Sequence, residues 1–314
     1  MANPKKIMEL RPEVADFRAK QNVTMRGDVL SYVPNKRCGS FSTDAAGFRH
    51  SVFRGQQYSV ADCLRSQRYG LVLGASNLFG SGVAGNENVM ASLLAERFGF
   101  PFANAAMPGA NSRNIHSLLT GLVTRGGRAP AVAVVSTGCD LANFCESSRA
   151  DGMFGSPNRS QLIRLEDSDG ATKPNPDEAF PRLLAFTALW TNALAALCRG
   201  YGIPLVLIHQ STSFEKTKLN AYEKACGLGE PFNPAQERQF ENHRKFNQPF
   251  YDKRKQVADA RKIPLAGWHL SDEISFIDEF HCDRDGIRVM SEAVGNEIEP
   301  LLAAKKPEPV ATGA

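Results

Sequence analysis

"LVLGASNLFGSG", residues 71–82, runs from an apolar stretch through Ser76 into closely spaced glycines. Its first half has the length and composition of a buried strand, and the serine stands where that strand gives way to a helix. A dinucleotide site would use the glycines, and Gly80, Gly82 and Gly85 do spell G-x-G-x-x-G. In that fingerprint, however, the first glycine follows the strand directly and an acid closes the next strand. Here Gly80 lies six residues beyond Gly74, and the next apolar run, "PFANAA" (101–106), ends without an acid. A phosphate loop needs Lys-Ser/Thr after its glycines, which this stretch lacks. Two readings stay open: a structural turn, or a nucleophile whose backbone N–H and following helix end serve a developing oxyanion.

Outward from the turn, short apolar runs alternate with helical patterns. After 70–76 comes a helix around "NENVMASLLAERFG", then strand 101–106, then a helix with Ile115, Leu118, Leu119 and Leu122 on one face. "AVAVVSTG" (131–138) and "IPLVLIHQ" (203–210) read as strands and "IPLAGWHL" (263–270) as a weaker fifth, with helices at 177–202 and 282–304. This alternation predicts an α/β fold: a flavodoxin-like, three-layer α/β/α arrangement around a five-stranded parallel sheet, with sites at the strands' carboxyl ends. Residues 1–68 read as an N-terminal cap or flank and 69–304 as the α/β domain. The charged stretches 143–177 and 211–250 read as rim insertions that select substrate, and 305–314 as a disordered tail.

A serine hydroxyl needs a base to take its proton, and the base an acid to orient it. "FIDEFHCDRDGIRVMSEA" supplies both, with Asp278 and His281 in a loop between the fifth strand and the last helix. If the fifth strand lies three positions from the first, the gap is about 14 Å. Residues Ser271 to His281 span roughly 35 Å when extended, so the loop reaches Ser76. His209 and His269 share the rim. His50, His116 and His243 sit in polar, helical or insertion contexts that suit solvated or capping roles.

At this point the sequence resembles a known family, the SGNH or GDSL-type serine esterases and acyl hydrolases, over residues 69–302. "GASNLFG" is similar to the G-D-S-x-x-x-G nucleophile block, "NAAMPGANS" to the block whose glycine, here Gly109, lends an oxyanion N–H, and "DEFH" to the D-x-x-H block. "STDAAGFRHS" resembles a stretch that precedes the nucleophile in many bacterial members. The resemblance implies attack by Ser76 Oγ on an ester carbonyl, His281 as base and then acid, Asp278 orienting the imidazole, and the Ser76 and Gly109 N–H groups holding the oxyanion.

The chain departs from the family at two places. Ala75 stands where Asp usually precedes the serine, a mild change because that acid is not an attacking group. The third block, normally G-x-N-D, reads "TGCDLAN", so either Cys139 or Asp140 occupies the place of the oxyanion-hole Asn. A thiol is a weak donor and an ionised carboxylate none. The expected substitute is Asn143 or Asn111, with Asn77 also near the strand ends. The bland alternative is a capping role for these amides.

Of the 314 residues 42% are hydrophobic and 22% charged, and the net charge of +4 is scattered, so nothing points to nucleic acid. The early lysines have no apolar run behind them, and the longest apolar runs are strand-sized, so neither a secretory signal nor a membrane span is expected. Seven cysteines without a CxxC pair argue against a disulfide framework or zinc site and favour a cytoplasmic setting. No metal or organic cofactor is implied, since Asp283 and Asp285 suit the start of the last helix. The leading expectation is hydrolysis of an ester, an O-acyl group on a carbohydrate or small polar metabolite. Alternatives are an acyltransferase using the same acyl-enzyme and a weakened binding protein.

Overall fold

The computed structural model describes residues 2–26, 29–137, 139–147, 175–231 and 234–304. Most of the insertion expected at 143–177, and the expected tail at 305–314, lie outside the described residues. The chain opens with helices α1 (Pro4–Leu10) and α2 (Val14–Arg18). Two small antiparallel pairs follow, β1 (Val23–Arg26) with β2 (Val29–Tyr32) and β3 (Ser51–Phe53) with β4 (Gln56–Tyr58), and then α3 (Val60–Arg65).

The central strands are β5 (Gly70–Leu73), β6 (Phe102–Asn104), β7 (Val132–Ser136), β8 (Leu205–Ile208) and the two-residue β9 (Leu265–Ala266). They pair in parallel in the order β6-β5-β7-β8-β9, the doubly wound order whose switch point lies between β5 and β7. Strand period two explains why both faces hold. Leu71, Leu73, Ala133, Val135, Leu205 and Leu207 turn into one apolar cluster, while Val72, Val132, Val134, Val206 and Ile208 turn into the other. A sheet apolar on both faces has to be covered on both.

The helices between strands are α4 (Ser76–Phe79), α5 (Met90–Phe98), α6 (Ser112–Gly126), α7 (Cys139–Ser147), α8 (Pro176–Gly200), α9 (Ala221–Ala225), α10 (Pro234–Arg261) and α11 (Arg284–Ala304). Helices α5 and α11 cover one face through Leu94, Ile287, Val294 and Ile298, and α3, α6 and α8 cover the other through Cys63, Leu119 and Leu194. The expected N-terminal flank joins the first face, because Ile7, Val14, Phe17, Tyr32 and Phe41 belong to its cluster and Tyr32 stacks on Phe79 at 4.3 Å.

Two features differ from the sequence expectations. Residues 234–261 form one 28-residue helix, α10, where a charged insertion was expected to run to 250. Its inward face mixes Phe240, Phe246, Phe250, Tyr251, Val257 and Ala258 with His243, Asn247 and Arg254, and these polar members interrupt the apolar periodicity. It packs with α7 and α8 around a third cluster that includes Phe144, Phe180, Leu183, Phe246 and Phe250. The expectation that no stretch reaches the length of a membrane span meets one exception, by length and composition alone. Helix α8 is long and apolar enough, by length and composition, to cross a membrane, while Phe180, Leu183, Leu194 and Cys198 on it are buried in the fold.

Candidate active site

Ser76 is the first residue of α4, directly beyond β5, so its N–H has no intrahelical acceptor. Helix α4 is a single turn, closed by Gly80 at φ 83° and by Ser81 N–H donating to the Ser76 carbonyl at 2.9 Å. This corrects the expectation of a helix dipole at the serine. A macrodipole needs many aligned peptides, and four residues supply few. The backbone N–H itself is what Ser76 offers. The loop beyond lies so close to the Asp-His segment that a Cβ on Gly82, at φ +94°, would stand 2.1 Å from Ile277 Cδ1.

Asp278 and His281 sit on a tight excursion held at its base. Phe276 bridges Cys282, and Ile277 N–H donates to the His281 carbonyl at 2.9 Å. Asp278 Oδ1 accepts the backbone N–H groups of Phe280 and His281, each at 2.9 Å, which fixes the carboxylate relative to the imidazole. His281 Nδ1 lies 2.9 Å from both Asp278 oxygens, and its Nε2 lies 2.7 Å from Ser76 Oγ. With Nδ1–H donating to the carboxylate, Nε2 is left as acceptor for the serine O–H. The fifth strand does lie three positions from the first, as the reach of the loop required.

The charges agree with that tautomer. Burial alone would raise the Asp278 pKa, but the charge and hydrogen bond of His281, with the two backbone N–H groups, outweigh it and hold the carboxyl at about 2. Burial would lower the pKa of His281, but Asp278 reverses this and raises it above the usual imidazole value, against a smaller opposing pull from Arg18. Arg18 Nη2 lies 3.4 Å from Asp278 Oδ2.

Gly109 reaches the site through a turn that its sequence dictates. In Met107-Pro108-Gly109-Ala110, Ala110 N–H donates to the Met107 carbonyl at 3.1 Å and Gly109 has φ 70°. Proline followed by a positive-φ glycine is the type II signature.

The expected third donor is corrected. Asn111 is only 1% exposed and caps α6, its Oδ1 accepting Asn114 N–H at 3.0 Å while Asn114 Oδ1 accepts Asn111 N–H at 3.1 Å. Asn143 is buried in α7, where its Oδ1 lies 3.8 Å from Cys139 Sγ. Neither amide, nor Cys139, is among the residues that line the cavity over Ser76. Asp140 is spent structurally: its carboxylate accepts Ser112 N–H at 2.8 Å and Thr187 O–H at 3.0 Å, tying the end of β7 to α6 and α8.

That cavity holds about 260 Å³ beside Ser76, Gly109, Asp278 and His281. Its other walls are Pro108, Ile277, Ser81, Gly82 and, from the N-terminal arm, Val14, Phe17, Arg18, Val23 and Tyr32. Of the insertions expected to shape the site, most of 143–177 lies outside the described residues, and no described residue of 211–250 lines the cavity. The order of strands explains this. The segment after β8 packs through α10 against α7 and α8, while the arm reaches the β5 rim.

Sequence reasoning missed Arg49. It is 1% exposed, and its hydrogen bonds go to carbonyls and a carboxamide oxygen rather than to a carboxylate. Its guanidinium donates to the carbonyls of Gly80 (2.8 Å), Val83 (2.8 Å), Gly85 (3.0 Å), Ser40 (3.3 Å) and Phe79 (3.4 Å) and to Asn86 Oδ1 (3.0 Å). Burial pulls its pKa down to about 9, still far enough above neutrality to keep it charged. It therefore pins the loop after Ser76 from behind. The stretch "STDAAGFRHS" was the available signal, but without its partners the arginine carried no role.

The other histidines stand apart from Ser76. His209 Nε2 pairs with Glu215 at 2.9 Å, and His50 Nδ1 lies 2.9 Å from Ser42 Oγ. His243, expected to be solvated or capping, is instead buried among Phe214, Phe240 and Phe280, which pushes its pKa down to about 3.

Fold and site together define a doubly wound α/β protein with a hydrogen-bonded Ser–His–Asp line at the carboxyl edge of its sheet. No family model matches the chain and no curated protein matches it. Among solved structures it is similar to TesA, at 17% identity over 74% of this chain and 99% of that chain, with a TM-score of 0.45. It is similar to a GDSL-like lipase from Bacteroides thetaiotaomicron VPI-5482 at 13% identity, 74% and 88% coverage and a TM-score of 0.42. A catalytic mutant of an acetylxylan esterase from Geobacillus stearothermophilus gives 12% identity, 74% and 94% coverage and a TM-score of 0.44.

Proposed function

We propose that this chain is a serine hydrolase of the SGNH type, acting on a carboxylic ester through an acyl-enzyme on Ser76. The observation that carries the reading is the line from Ser76 Oγ to His281 Nε2 (2.7 Å) and from Nδ1 to Asp278 (2.9 Å), opening on a cavity. In the mechanism, neutral His281 takes the serine proton as Oγ attacks the ester carbonyl. The Ser76 and Gly109 N–H groups receive the oxyanion. The imidazolium, held by ionised Asp278, returns its proton to the departing alkoxide, and water repeats the sequence on the acyl-enzyme. A cytoplasmic setting belongs to the same proposal, and the seven free cysteines support it.

Incubation with a fluorophosphonate probe tests the reading. Covalent labelling of the wild type, absent in Ser76→Ala, is expected together with Ser76-dependent turnover of simple esters. A wild type that neither labels nor turns over any ester refutes it. Product analysis with added alcohols then separates hydrolysis from acyl transfer.

A further inference from the structure

We propose that the N-terminal arm selects the substrate: an ester that seats a compact apolar group in the cavity and presents an anionic substituent to Arg18. This rests on the esterase reading and deepens it. The cavity of about 260 Å³ has room for a compact acyl or alcohol group. Its walls carry few polar groups that are not already engaged. Val14, Phe17, Val23 and Ile277 offer none from their side chains, and the Tyr32 hydroxyl donates to the Phe17 carbonyl at 3.2 Å and lies 3.5 Å from Ser81 Oγ. A polyol would bring several hydroxyls against walls that are mostly apolar, at a desolvation cost for each one left unpaired.

The charge pattern is one-sided. Besides Asp278 and His281, which engage each other, the charged residue among those lining the cavity is Arg18. Its side chain is 37% exposed and meets Asp278 among the described residues through one long approach of Nη2 at 3.4 Å. A guanidinium has five N–H donors in a planar fork suited to a carboxylate or phosphate. Five donors and one long contact leave Arg18 able to receive an anion at the lip of an apolar cavity, where flanking walls reduce screening. The same anion would offset the pull of Arg18 on the His281 proton.

The test uses two matched pairs of esters: p-nitrophenyl hexanoate against the p-nitrophenyl monoester of adipic acid, and phenyl butyrate against 4-carboxyphenyl butyrate. Hydrogen bonds to charged groups suggest about a tenfold or greater excess in kcat/KM for the anionic member of at least one pair. The pair that shows it identifies whether the anion lies on the acyl or the alcohol side. The excess is expected to shrink with added salt and to vanish in Arg18→Gln. No excess in either pair overturns the proposal. So does an excess that survives Arg18→Gln, or one preserved because both members slow equally, which would leave Arg18 acting only through Asp278. Ser76-dependent turnover of the neutral esters in the same experiment keeps the esterase reading standing when the specificity fails, and its absence sinks that reading separately.

Discussion

Replacing Arg49 by methionine removes the clamp behind the nucleophile while keeping an apolar stem among Phe17, Phe41 and Phe79, whose ring centroids lie 5.4–5.8 Å from the guanidinium carbon. Three carbonyls and one carboxamide oxygen lose contacts of 2.8–3.0 Å. Each buried acceptor left unsatisfied costs about 1–3 kcal/mol. Part of that is offset, because the variant no longer has to strip water from a cation, and burial already disfavours the charged Arg49. A net loss of a few kcal/mol, on the order of one or two unsatisfied acceptors at about 1–3 kcal/mol each, is a large share of the ~5–15 kcal/mol that holds a domain together. Urea unfolding followed by tryptophan fluorescence (Trp190 and Trp268) measures it. Arg49→Lys keeps the charge but not the fork, so it should fall between methionine and wild type. In the folded variant kcat should drop more than KM rises, because the freed loop carries the Ser76 neighbours Ser81 and Gly82. A loss below about 1 kcal/mol at unchanged m-value would refute the clamp.

Asp278→Asn should lower kcat by about 10⁴, the cost of holding the wrong imidazole tautomer, with KM little changed in steady-state assays. The acid limb of kcat/KM reports His281 and should lie above the usual imidazole value; Arg18→Gln should move it higher, because Arg18 pulls that pKa down. For stability, the pair works from both sides. The Asp278 contribution, about 2 kcal/mol at ~1.36 kcal/mol per pKa unit, is present above its unfolded pKa of 3.8 and lost as pH falls through about 2. The His281 contribution is complete below its unfolded value and lost as pH rises through its raised folded one. His243 has the opposite sign, since it is held neutral while the unfolded chain takes up a proton. Between about 3 and 6.5 it costs the fold up to ~1.4 kcal/mol per pH unit, and His243→Phe should flatten that slope in acid denaturation.

The sheet was legible because its signal is local and redundant. Leu71, Val72 and Leu73 are apolar on both faces, and only a doubly covered parallel sheet buries such a run. Ser76, Asp278 and His281 were legible as candidates because each follows a strand, and the resemblance to a known family singled them out and supplied Gly109. Helix α10 was not, because its buried face uses His243, Asn247 and Arg254, whose burial depends on partners far away in sequence. The cavity walls were hidden for a related reason. The insertion after β8 was long and charged, but length does not say which rim a segment covers. Val14 and Phe17 reach Ser76 through three-dimensional packing that no spacing encodes.

Sequence and structure give opposite expectations for Cys139, and one substitution separates them. In one of the two registers the resemblance allows, position 139 is where an oxyanion-hole amide belongs, and there Cys139→Asn should restore a donor worth about 10²–10³ in kcat. By structure, Cys139 begins α7 away from the cavity lining, its thiol directed within 3.8 Å of Asn143 Oδ1, while the neighbouring Asp140 anchors that helix start to Ser112 and Thr187. An asparagine there would find Asn143 before it found a substrate. Its kcat should therefore stay within about threefold of wild type, far short of a restored donor, and two backbone N–H groups would carry the oxyanion. A hundredfold rise would put residue 139 over Ser76 and make the Asp140 anchor a mark of a closed form that opens when substrate arrives.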